Sequence, residues 1–76
     1  SEGHFHRAFR ATTGRTPLEF VHRRRVAMAK QMLASSKLSV AQMALRVGFL
    51  SPAHFARVFR SVTGQSPSQY RRSFRL

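Results

Sequence analysis

The chain has 76 residues, with 14 Lys and Arg against two acidic residues and no Cys, and its formal net charge is +12. The lack of Cys excludes disulfides and thiolate metal sites and fits a reducing cytoplasm, and no run approaches the roughly 18 apolar residues that a membrane span needs. Most of the basic residues are Arg, which binds phosphate and guanine edges in a forked geometry, so an anionic partner, most simply nucleic acid, is favoured over a merely solvated basic surface.

The N-terminus, Ser1-Glu2-Gly3, lacks the charged-then-apolar order of a secretory signal. Because there is no initiator Met, the chain is expected to be a fragment or a processed product. At this length it forms one small domain with a thin core.

The apolar residues follow helical spacing from the first element onward, and no run of four or more alternates convincingly, so an all-α fold without strands is predicted. Four groups share the i, i+3, i+4 pattern: Phe5, Ala8, Phe9; Val26, Ala29, Met32, Leu33; Val40, Met43, Ala44, Val47; and Phe55, Val58, Phe59, Val62.

Capping signals divide the chain into helices. Thr16-Pro17-Leu18-Glu19 has the form of an N-cap, a proline at the first helical position and a capping-box acid, and similar signals begin at Ser39, Ser51 and Ser66. Gly14 and Gly64 stand where a left-handed residue ends a helix. Five helices are predicted, over residues 2–13, 17–35, 39–47, 51–63 and 67–74.

An internal repeat relates the two ends of the chain. With a shift of fifty residues, SEGHFHRAFRATTGRTPLEF aligns without gaps over SPAHFARVFRSVTGQSPSQY, and the capping signals stay in phase. A short helix, a turn and the start of another helix therefore occur twice.

The second copy has the context of a helix-turn-helix. The short helix 39–47, a turn containing Gly48 and the capped helix from Ser51 follow the pattern in which the second helix enters the major groove. On that helix Ala53, Arg57 and Arg60 lie opposite the apolar stripe, with Ala56 and Ser61 at its flanks. Small residues allow the backbone to approach base edges, where an Arg can bind guanine.

The first copy presents Gly3, Arg7 and Arg10 on the equivalent face, with His6 beside them. Because His6 stands where the second copy has Ala56, the two copies are not expected to read the same sequence. The helix between them, at 1.5 Å per residue, spans roughly 28 Å, close to the roughly 34 Å between successive major-groove faces. Recognition by both copies of one chain is therefore preferred over a single reader.

The stretch from Met43 to Arg71, MALRVGFLSPAHFARVFRSVTGQSPSQYR, resembles the signature of AraC/XylS-type transcription regulators, which are bacterial. The residues that carry the resemblance are Ala44, Gly48, Phe49, Ser51, Phe55, Arg57, Phe59, Gly64, Pro67, Tyr70 and Arg71. HFHRAFRATTGRTPLEFVHRRRVAMAKQML is similar to the family's first recognition helix and linker helix, including its Arg25, Ala29, Leu33 run.

The resemblance implies two helix-turn-helix units joined by a linker helix, with the first unit truncated by two helices. The expected parts are 1–16, the recognition helix of the truncated unit; 17–36, the linker helix; and 37–76, the complete second unit with a C-terminal helix. The implied function is sequence-specific binding of double-stranded DNA in transcription regulation. An effector-sensing or dimerising domain elsewhere in the full protein and RNA polymerase are candidate partners.

Base contacts are expected from Gly3, His6, Arg7, Ala53, Ala56 and Arg57. Phosphate contacts are expected from Arg10, Arg23, Arg24, Arg60, Arg71 and Arg72. His54 is left open as a contact, Arg25 is expected to pair within the protein, and Tyr70 and Phe74 are expected in the core.

Other functions find less support. The four His residues are not at ligand spacing with acids, so no metal or other cofactor is expected. The chain contains no Asp, so a Ser–His–Asp set is impossible, and no enzyme activity is expected. An RNA-binding module would need exposed aromatic residues, and a cationic membrane-active fragment would not be punctuated by proline and glycine; both remain as alternatives.

Overall fold

A computed structural model of the chain describes residues 10, 11 and 14–74, and their regular structure is helical throughout. Four helices follow one another: α1 (Pro17–Ser35), α2 (Val40–Arg46), α3 (Pro52–Thr63) and α4 (Pro67–Arg72). Residues 10 and 11 are also helical, whereas the rest of the helix predicted over 2–13 lies outside the described residues. The all-α prediction is confirmed.

Local side-chain chemistry sets the start of α1. The Thr16 hydroxyl accepts a hydrogen bond from the backbone N–H of Glu19 at 3.2 Å, and the Glu19 carboxylate accepts one from the backbone N–H of Thr16 at 3.3 Å. This reciprocal pair satisfies two N–H groups that have no partner within the helix. Pro17 then occupies the first turn, where its missing N–H costs nothing.

The other three helices begin in the same way. Ser39 and Ser66 form capping boxes with Gln42 and Gln69, and the Ser51 hydroxyl accepts from the backbone N–H of His54 at 3.1 Å. Each helix therefore starts where its capping residue predicted, one residue after a Thr or Ser.

The core lies where α1, α2 and α3 pack together. Its buried side chains are Val26, Ala29, Leu33, Met43, Ala44, Val47, Phe49, Phe55 and Phe59. The apolar stripes predicted for these helices supply all but Phe49, and the remaining stripe residues Met32, Val40, Val58 and Val62 are partly buried against them. The core is thus built from one stripe per helix.

One core expectation is wrong. Helix α4 ends at Arg72, two residues before the predicted end, and Phe74 follows in a turn with 53% of its surface exposed. Since the helix stops before reaching it, Phe74 is not carried round onto the apolar stripe. Its ring instead packs against that of Tyr70 at the surface, with the centroids 5.1 Å apart.

The internal repeat has matching geometry where both copies are described. The backbone N–H of Gly14 donates to the Arg10 carbonyl at 2.7 Å, and that of Gly64 donates to the Arg60 carbonyl at 2.8 Å. The two glycines have φ values of 78° and 82°, in the left-handed region that glycine adopts at little cost. The sequence repeat is therefore also a structural repeat at these turns.

Among the described helices, none combines the length and the apolar character needed to cross a bilayer.

Candidate nucleic-acid interface

The outer face of α3 is basic and exposed. Arg57 and Arg60 lie almost one turn apart on it, Ala53 is exposed near its start, and Ala56 is half-buried at its flank. Within the described part of the chain, neither arginine donates a hydrogen bond or forms an ion pair. The face therefore offers two guanidinium groups, each with five N–H donors, and small side chains precede them on the helix.

The buried face of α3 fixes how this outer face is presented. Phe55 and Phe59 are fully buried, with ring centroids 5.7 Å apart. Phe59 also meets the ring of Tyr70 on α4 edge-on, at 5.5 Å. Because two aromatic side chains, one turn apart, are locked into the core, the rotation of α3 about its own axis is restricted.

The turn between α2 and α3 is closed by the backbone. The Phe49 N–H donates to the Ala44 carbonyl at 2.9 Å. Gly48 has a φ of +101°, a backbone angle that residues other than glycine rarely adopt. Five residues, Val47 to Ser51, join the two helices, and this connection contains Gly48, as the sequence predicted. Directly before the N-cap of α3, Leu50 is 96% exposed, a feature that the apolar spacing gave no reason to expect.

Phe49 connects this turn to two helices. Its ring contacts His54 edge-on and Phe55 at a tilt on α3, both with centroids 5.3 Å away. It also contacts His22 of α1 at 5.7 Å. His54, which the sequence left open as a contact residue, is therefore half-buried in this aromatic cluster.

The electrostatics of the cluster favour neutral His22. Burial, together with the positive charges of His54 and Arg25, lowers the pKa of His22 below that of an exposed imidazole. The His22 and His54 rings are 5.7 Å apart and nearly perpendicular. Protonation of His22 would thus place a second charge in a partly desolvated site beside a fixed guanidinium.

The residues predicted to contact phosphate are mostly exposed. Arg10, Arg23, Arg24, Arg60 and Arg72 all have exposed side chains. The Arg24 guanidinium lies 5.9 Å from the centroid of the Phe20 ring, which orients it along the helix surface.

Arg71, another member of this group, donates hydrogen bonds to backbone carbonyls inside the protein. It is half-buried, its Nε donates to the Leu33 carbonyl and its Nη2 to the Ser36 carbonyl, both at 3.4 Å. It thereby ties α4 to the C-terminal end of α1, where unpaired carbonyls attract a cation. The partners are 38 and 35 residues away, so no local sequence pattern could have indicated them.

The predicted base-contact residues of the first copy, Gly3, His6 and Arg7, lie outside the described residues. Of the contact residues predicted in that copy, Arg10 lies within the described part of the chain, and it is exposed near the turn at Gly14.

Comparison with known proteins agrees with this geometry. A family described as "Helix-turn-helix domain" matches residues 1–73. A search of curated protein sequences found no match.

Several solved structures are similar over most of the chain. The DNA-binding domain of AdpA, described as a global transcriptional factor and solved in complex with a target DNA, has 40% identity and a TM-score of 0.91; the match covers 99% of this chain and 68% of that one. A probable AraC family transcriptional regulator from Rhodopseudomonas palustris CGA009 has 32% identity and a TM-score of 0.82, with 93% and 68% covered. An AraC-type transcriptional regulator from Chromobacterium violaceum has 27% identity and a TM-score of 0.85, with 92% and 62% covered.

Proposed function

Because the chain belongs to the AraC family of helix-turn-helix transcription regulators, we propose that it binds double-stranded DNA sequence-specifically through the outer face of α3, with Arg57 reading a base edge. Ala53 and Ala56 allow the helix backbone to approach the floor of the major groove. Arg60 and the exposed arginines of α1 and α4 bind phosphates. The chain acts by binding alone, in the cytoplasm, without a catalytic step.

The observation that carries the proposal is the exposure of the Arg57 side chain on the outer face of α3. Its side chain is exposed on a helix whose opposite face is locked into the core, and it has no partner among the described residues. A guanidinium in this position is ready to bind guanine O6 and N7 in a bidentate manner. The two small residues Ala53 and Ala56 precede Arg57 on α3, so no bulky side chain on this part of the outer face keeps the helix backbone away from a base edge.

Two recognition helices on one chain are the second part of the proposal. The linker helix α1 has 19 residues, about 28 Å at 1.5 Å per residue. The matching turns at Gly14 and Gly64 support a second reader at the other end of α1. The expected target therefore has two half-sites separated by about one helical turn of DNA, with Gly3, His6 and Arg7 reading one of them.

Selection of duplex sites from a random pool, with the full protein, tests this proposal. The expected result is an enriched sequence with two unequal half-sites, since His6 and Ala56 differ at equivalent positions. Recovery of unenriched DNA would contradict sequence-specific binding, and one enriched half-site would contradict only the second reader.

The RNA-binding alternative is less well supported because Phe49, Phe55 and Phe59 are buried, whereas stacking on single-stranded bases needs exposed rings. Competition between the selected duplex and a structured RNA separates the two functions. We further propose that the full protein carries an effector-sensing or dimerising domain and that RNA polymerase is one of its partners.

A further inference from the structure

Arg25 of α1 reaches the turn between the two helices of the helix-turn-helix. Its guanidinium Cζ and Nε lie 3.1 Å from the position that a Cβ on Gly48 would take. Its Cζ is also 5.7 Å from the centroid of the Phe49 ring. The guanidinium therefore lies close beside Gly48 and within cation–π distance of the Phe49 ring.

Phe49 connects Arg25 to the recognition helix. Its ring touches His54 and Phe55, each with centroids 5.3 Å apart. These two residues are in the first turns of α3, between Ala53 and Ala56. A shift of the Phe49 ring would therefore move the start of α3, which carries the small residues that face the DNA.

Arg25 differs from its two basic neighbours. Arg23 and Arg24 are exposed, whereas Arg25 is half-buried. After burial and the charge of His54, the positive charge of Arg25 is the third cause that lowers the pKa of His22. A guanidinium held this close to the protein interior is poorly placed to bind a phosphate. The planar group fits a narrow space beside glycine, and a Lys ammonium cannot stack in the same way.

From these contacts we propose that Arg25 is a positioning residue for DNA recognition: through Gly48 and Phe49 it sets the orientation of α3 without touching the DNA. This inference rests on the proposed function. It assigns to the linker helix a part in specificity that is separate from the spacing of the two readers.

The test measures dissociation constants for the selected duplex and for a random duplex at several salt concentrations. The variants are Arg25→Lys, Arg25→Gln, Phe49→Leu and the double variant Arg25→Gln/Phe49→Leu, all in the full chain. Lys37→Gln is the matched control, since it removes one positive charge from an exposed side chain in the segment between α1 and α2. Circular dichroism at the binding temperature checks that each variant is folded.

We expect both Arg25 variants to lower the ratio of specific to non-specific affinity by about fivefold or more. A change of this size corresponds to weakening, without abolishing, one bidentate base contact. The dependence of affinity on salt should stay that of the wild type, because no phosphate contact is removed. Lys37→Gln should leave the ratio within about twofold of the wild-type value. If Arg25 acts through Phe49, the double variant should lose no more of the ratio than the more affected single variant.

Three results would overturn the inference: a wild-type ratio in Arg25→Lys, a salt slope lowered by about one unit as for a phosphate contact, or multiplied losses in the double variant. If Arg25→Gln does not fold, Arg25→Lys and Phe49→Leu decide the question by the same ratio. If the wild-type chain itself does not discriminate between the two duplexes, the proposed function fails. If the wild-type chain discriminates between the two duplexes and the Arg25 variants do so equally well, only the positioning role of Arg25 is wrong.

Discussion

The guanidinium of Arg25 lies 3.1 Å from where Gly48 would carry a Cβ atom. This approach is closer than an ordinary van der Waals contact, and Gly48 also has a positive φ of 101°. Both features favour glycine at this turn, and both concern the connection between the linker helix and the recognition helix.

Gly48→Ala is therefore expected to lower the free energy of unfolding by about 1–2 kcal/mol from backbone strain alone, with a further loss because Arg25 must move. Gly64→Ala is the matched control, since Gly64 has a similar positive φ of 82° but nothing within 4 Å of an added Cβ. Urea unfolding of both variants checks the order. Equal losses would show that the contact with Arg25 adds nothing.

The N-cap of the recognition helix gives a second prediction. Ser51→Ala removes the acceptor for the backbone N–H of His54 and should cost about 1 kcal/mol of stability. Ser68→Ala, on the exposed side of α4, should be nearly neutral. Thermal unfolding measures both, and a neutral Ser51→Ala would mean that Pro52 alone is enough to start α3.

The hydrogen bonds by which Arg71 connects α4 to α1 give a third prediction. Arg71→Ala removes two long, charge-assisted hydrogen bonds to the Leu33 and Ser36 carbonyls and should cost about 1–2 kcal/mol of stability. The neighbouring Arg72 is exposed, and Arg72→Ala should change stability by no more than about 0.5 kcal/mol. Equal effects in chemical unfolding would argue that the Arg71 hydrogen bonds do not stabilise the fold.

The lowered pKa of His22 gives a pH dependence. Because the folded chain holds this imidazole neutral more strongly than the unfolded chain does, the unfolded chain binds more protons between the two pKa values. Stability contributed by His22 is present above about pH 6.5, the ordinary pKa of the group, and is lost as the pH falls toward the lowered value. Melting temperatures between about pH 7.5 and 5.5 should thus fall more for the wild type than for His22→Gln, and parallel curves would contradict this account.

The capping residues explain why the helix starts could be predicted from sequence. Thr16, Ser39, Ser51 and Ser66 each bond within three residues of themselves, so these signals are local and readable. The exposed face of α3 was predictable for a similar reason, because the position of a residue around a helix follows from its number.

The contacts that position the site could not be predicted in the same way. Arg71 finds its acceptors 38 and 35 residues away, and Arg25 meets a turn that begins more than twenty residues later in the sequence. Such contacts depend on how α1 packs against the other helices. The prediction that Phe74 lies in the core is wrong because it assumes that the helix continues. Phe74 follows Tyr70 by four residues, which would place both on one helix face, but α4 ends at Arg72.

The central claim, that the outer face of α3 reads base edges, is tested most directly by Arg57→Ala measured against the selected duplex, every single-base variant of it, and random DNA. The account predicts a loss of about 1–3 kcal/mol on the selected site, with discrimination relaxed at one base position and little change on random DNA beyond the loss of one charge. An equal loss on all of these duplexes, with discrimination kept at every position, would contradict it.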